Sequence, residues 1–192
     1  MLKNLICFMF LRPSGLYSRL RGYDLFPWAF FLQLFRWEST ALTTVVSLYL
    51  DNSPMLLPVP FGIDPQAYRF AEIFFYGPYG LLIITILAYV IWVHGRDHAT
   101  IDSMSLKKSW ALVGFCFFGP WIPSLLIDSF LVYFGWGGPA VIIPWHIMIV
   151  VIESILTIVG LNAVFGIPFK RSLVLGIAVG LLFLILAGAV IR

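Results

Sequence analysis

The stretch "LQLFRWESTALTT", residues 32–44, decides how this chain is read, because it sets Arg36 and Glu38 around Trp37 inside a run that is otherwise apolar or weakly polar. If the run crosses a membrane, two full charges lie inside a bilayer. If it does not, the remainder, "STALTTVVSLYL", is too short to cross alone, since a span needs about 20 apolar residues at a rise of about 1.5 Å each.

The rest of the sequence sets the terms. Of 192 residues, 61% are hydrophobic and only 11% charged, too few charges to cover the surface of a soluble domain of this length. The composition therefore reads as an all-α integral membrane protein. A formal net charge of +3 is no sign of nucleic acid, because the basic residues stand at the ends of apolar runs, where topology signals belong. Two cysteines, Cys7 and Cys116, are too few for a disulfide framework and read as free thiols.

Apolar runs of spanning length give five transmembrane helices in a bundle, near residues 27–50, 70–93, 109–134, 140–165 and 172–191. Residues 1–24 read as a cytoplasmic interfacial segment. The opening run lacks a small-x-small cleavage site, and "LYSRLRGYDLFPW" mixes Arg19 and Arg21 with Leu and Tyr in the manner of a helix lying on an anionic leaflet. Residues 51–69 read as an outer loop, a proline-rich cap that is neither strand nor helix.

The positive-inside rule tests the count. Nine basic residues precede span one or lie between spans two and three or four and five, against Arg69 and Arg192 on the other side. This alternation puts the N-terminus in the cytoplasm and the C-terminus outside, and it holds only if the first segment spans. Trp28, Trp92, Trp110 and Trp136 fall at predicted span ends as an aromatic belt, whereas Trp37 and Trp121 fall near mid-span and read as packing residues.

The expected intramembrane ionisable residues are Arg36, Glu38, Asp128, His146 and Glu153, with Glu72 near an outer end. Facing lipid, each would cost roughly 2.5–3.5 kcal/mol on insertion scales, so each needs a partner or an interior position. Spans one and four run in opposite directions, and Arg36 and Glu153 come within about two turns of the same depth. Arg36, Thr40, Thr43 and Ser47 share one helical face, and His146, Glu153, Thr157 and Gly160 share another, which predicts a polar seam between those two helices. Glu38 stands about 200° around the helix from Arg36 and points elsewhere.

The connection "GWGGPA" makes spans three and four a hairpin, with Asp128 and His146 nine residues either side of Gly137. Such a pair can shuttle a proton, bind a metal with further ligands or neutralise itself; the last is favoured. His94 and His98 have a spacing that suits a metal on one helix face, but two ligands alone read better as a solvated loop. No metal and no cofactor is expected. Gly176 and Gly180 form a GxxxG pattern that predicts close helix packing. Gly77-Pro78-Tyr79-Gly80, and Gly119-Pro120 with Pro123, predict kinks that free backbone carbonyls. Nothing has the form of a nucleophile elbow, a phosphate loop or a zinc-protease helix, so no enzyme is expected.

From about residue 70 to the end, the chain resembles the Yip domain family, five-span membrane proteins named for interacting with Ypt/Rab GTPases. Three stretches carry the resemblance: "SWALVGFCFFGPWIPSLL" after a polar inside loop, "IVGLNAVFGIPFKRSLVLGIAVG" with its apolar-Gly turn, basic pair and small-residue final span, and "FLRPSGLYSRLRG" as the lead-in of bacterial members. The long cytoplasmic region of eukaryotic members is absent from this sequence. What the resemblance implies is therefore the fold, the orientation and a non-enzymatic character acting through partners. The expected role is a scaffold or accessory subunit in a bacterial or archaeal cytoplasmic membrane. Its partners are the lipid bilayer and other membrane proteins or copies of itself. The alternative is a small transporter or channel component using Arg36, Glu153, Asp128 and His146.

Overall fold

The computed structural model describes residues 13–49, 59 and 62–190. Cys7 and most of the expected outer loop lie outside them. Every regular element among the described residues is helical: α1 (Pro13–Gly22), α2 (Phe26–Tyr49), α3 (Pro65–Gly95), a 3-10 turn (Arg96–His98), α4 (Leu106–Phe118), α5 (Trp121–Tyr133), α6 (Pro139–Phe165) and α7 (Phe169–Val190).

The starts of these helices follow from local chemistry. Proline opens α3 and α6, where its missing N–H would have no partner in any case. Asp64 caps α3 by accepting from the Ala67 N–H at 2.8 Å, and Ser105 caps α4 by accepting from Lys108 N–H at 3.2 Å. The expected outer loop is therefore too long at its C-terminal end: Pro65 to Tyr68 form the first turn of α3.

Four helical segments are long and apolar enough to cross a membrane: Pro65–His98, Leu106–Tyr133, Pro139–Phe165 and Phe169–Ala189. They make this an integral membrane protein. The 24-residue α2, which carries Arg36 and Glu38, is not among the four. It is nonetheless packed along both α3 and α4, and its Ala29, Leu32, Trp37 and Ala41 are buried.

The core centres on α4, which packs against α2, α3 and α6 and touches α1 and α5. Every residue from Ser109 to Phe118 is buried, as expected for a helix that is apolar all round. It stops at Gly119-Pro120, where the single span expected over 109–134 divides into α4 and α5. By contrast α3 runs without a break through Pro78. The glycines beside that proline serve contact: a methyl group on Gly80 would overlap the Trp37 ring, and one on Gly77 the Glu38 carboxylate. They are notches that let α2 lie close to α3.

One further expectation changes, and one is given its partner. The apolar face of α1, Leu16, Tyr17 and Leu20, is buried against protein and not turned to a lipid leaflet. The Tyr17 hydroxyl donates to Leu156 O of α6 at 2.8 Å, and burial holds its phenol well above the ordinary tyrosine range, so it stays a donor. A Cβ on Gly160 would press into Leu112 and Tyr17, so α6 is notched where α1 and α4 meet it. The GxxxG pair of α7 is occupied within the chain: Gly176 abuts Ile158 and Gly180 abuts Ser154, both of α6. Close helix packing is what the two glycines provide.

The turn after α6 is similarly specific. Gly166 is left-handed (φ 69°), and its N–H returns to Asn162 O at 2.9 Å. Thr100 and Ile101 N–H both donate to Phe165 O, which docks the loop before α4 onto this helix end.

Gly80→Ala should destabilise the protein by about 1–3 kcal/mol, because the buried Trp37 ring cannot give way, whereas Gly188→Ala, at a position open to 4 Å, should be neutral. Thermal melts of the two variants in one detergent check this.

Candidate functional site

Arg36 is 5% exposed, and its Nη1 stands 3.2 Å from Oε1 of the fully buried Glu153. The same nitrogen donates to the Phe117 carbonyl of α4. That carbonyl is available because Phe117 is in the last turn of its helix, whose carbonyls have no internal donors. The negative end of the α4 dipole also favours a cation there. Gly119-Pro120, by ending α4, thus builds half of the arginine's site. One turn earlier on α2, buried Gln33 donates through Nε2 to Gly114 O at 2.6 Å, so two side chains of one stripe hold α4 at two successive turns. The Phe183 ring of α7 completes the enclosure, 5.3 Å from the guanidinium carbon.

The expected seam needs correction in one respect. α2 and α6 do not lie side by side; α4 packs against both, and the long arginine side chain reaches Glu153 past the end of α4. The hydroxyls of the two stripes mostly turn to their own helices. Thr43 donates to Thr40 O at 2.7 Å, Thr157 to Glu153 O at 2.9 Å and Ser154 to Val150 O at 2.7 Å. Cys116 is buried beside Tyr17 and Thr157. Helical spacing places Gln33 on the Arg36 stripe, toward its inner end; that its partner is the α4 backbone is given only by the structure.

Asp128 of α5 and His146 of α6 form the second pair, with Nε2 to Oδ2 at 2.9 Å and side chains 23% and 43% exposed. Ser124 donates to the same oxygen at 3.3 Å, and Asp128 Oδ1 is a buried atom with no hydrogen-bond partner among the described residues. Although His146 lies seven residues before Glu153, it is drawn to the α5 side and out of the buried stripe. Glu72 is buried on α3. Glu38 is exposed, makes no ion pair among the described residues, and rests against Gly77. His94 ends α3, where its carbonyl accepts from Arg171 at 3.2 Å.

Chemically, the Arg36–Glu153 centre is a buried ion pair that ties α2 to α6, and the Asp128–His146 pair is a half-open polar spot. No family model, no curated protein and no solved structure matches this chain.

Arg36→Met or Glu153→Leu alone should lower stability by about 3–5 kcal/mol, because each strands a buried charge, while the double variant should recover most of that loss. Asp128→Asn should cost less than about 1 kcal/mol, given its partial exposure. A double-mutant cycle read by thermal melting in detergent checks both.

Proposed function

We propose that this protein crosses the membrane five times, with α2 as its first span, the N-terminus in the cytoplasm and the C-terminus outside, and acts as a non-enzymatic scaffold or accessory subunit. The observation that carries this reading is that the buried charge and the buried amide of α2 are engaged by other helices of the same chain, although Gln33 Oε1 and both Glu153 oxygens accept no hydrogen bond among the described residues. Arg36 is taken up by Glu153 and the Phe117 carbonyl, Gln33 by Gly114, and the stripe hydroxyls by their own helices. A permeation path or an active site needs polar atoms that face a cavity, and Arg36 and Glu153 are instead paired and buried between helices. The five-span layout, the bacterial or archaeal cytoplasmic membrane and the likeness to the Yip family belong to the same proposal. The likeness supports a role exercised through other membrane proteins.

The alternative, a small transporter or channel component, draws on a different observation: the Asp128–His146 pair is partly exposed and keeps one buried carboxylate oxygen without a partner. Cysteine accessibility separates the two readings. In a background lacking Cys7 and Cys116, Thr40→Cys and Thr157→Cys should resist polar maleimides from both sides of sealed vesicles. Labelling at either position would favour the transport reading. A protein that runs as a lone monomer in mild detergent and crosslinks to nothing in its native membrane would remove the scaffold reading.

A further inference from the structure

The outward face of α2 is a stripe of four exposed residues, Phe31, Phe35, Glu38 and Leu42, at spacings i, i+4, i+7 and i+11. Three of them suit lipid. The fourth is a carboxylate placed at the midpoint of a 24-residue helix, where a membrane offers it nothing. One side of the carboxylate is fixed, since it rests against the Gly77 notch of α3, and the α3 residues flanking that notch, Phe74 and Pro78, are themselves exposed. Glu38 is thus held in position and left open outward.

Among the described residues nothing neutralises it. Arg36 is two residues away but on the opposite side of α2 and engaged by Glu153, and His146 is engaged by Asp128 on the far hairpin. The other basic residues with described side chains stand at helix ends and in loops. The same inventory bears on a second copy of the chain: of its described basic side chains, the one at this depth is Arg36, which is equally buried and engaged.

We infer that the Phe31–Phe35–Glu38–Leu42 face docks a membrane helix of a different protein, one that presents a lysine or arginine at mid-depth to Glu38 between apolar turns that pack on Phe35 and Leu42. The inference rests on the five-span reading and names the chemistry of the partner that reading calls for. Phe35 also touches Phe118 and Trp121, so the docking face is backed by the end of α4, where the Arg36 lock lies.

A defined probe tests it. The full chain, labelled with a donor at Ser103→Cys in a background lacking the native cysteines, is reconstituted in phosphatidylcholine vesicles. The acceptor is on a synthetic Leu-Ala membrane helix with one central lysine, or on its twin with a central leucine. Energy transfer should show the lysine helix binding roughly fivefold or more tightly than the leucine helix. The preference should vanish in Glu38→Gln, whose melting should be unchanged because the side chain is exposed. It should also fall in Leu42→Trp, which keeps the carboxylate but obstructs the stripe. No preference in the wild-type protein, or an equal preference in Glu38→Gln, would overturn the inference. So would self-association of the wild-type chain that Glu38→Gln abolishes, since the occupant would then be a second copy. Leu42→Cys tells the two levels apart: labelling by a polar maleimide would bring down the five-span reading itself, whereas protection without a lysine preference would bring down the docking alone.

Discussion

The charge on Arg36 is the constraint around which the packing is arranged. A guanidinium stays protonated at any working pH, so burying it obliges the fold to bring acceptors to it. Three helices other than its own contribute: Glu153 from α6, the Phe117 carbonyl from α4 and the Phe183 ring from α7. Arginine suits this role better than lysine, since its planar fork can meet a carboxylate and a carbonyl together and lie near an aromatic ring. The carbonyl is available only because α4 ends at Gly119-Pro120. The break in that helix and the charge in α2 are two parts of one device.

Around that lock, close approach is set by small residues. In a bilayer the lipid tails are as apolar as leucine, so helices gain by fitting their surfaces together and by hydrogen bonding across them. Gly77 and Gly80 receive Glu38 and Trp37, Gly160 receives Leu112 and Tyr17, and Gly176 and Gly180 receive Ile158 and Ser154. Each notch is filled by this chain's own side chains. The Trp37, Phe117 and Phe183 rings then fill the space beside the arginine.

This arrangement divides the polar residues into two kinds. Those turned inward, Gln33, Arg36 and Glu153, tie neighbouring helices together. Those turned outward, Glu38 on α2 and the Asp128–His146 pair on the α5–α6 hairpin, keep capacity for something beyond the fold. The proposed partner-binding role rests on these outward-turned groups.

Much of the axial layout was legible in the sequence. Apolar run lengths placed α3, α6 and α7 to within about five residues, depth arithmetic set Arg36 within about two turns of Glu153, and the short "GWGGPA" connection set Asp128 level with His146. A sequence pattern reports position along a helix and the face on which a residue sits, because rise and turn per residue are constants. It does not report which helices are neighbours. The tertiary structure decided that α4 stands between α2 and α6, that the apolar face of α1 turns to protein and that the α7 glycines serve α6. It also decided that Gly77 and Gly80 are notches for α2. Those choices depend on how side-chain volumes and glycine gaps fit across several helices at once, which no single run of sequence contains.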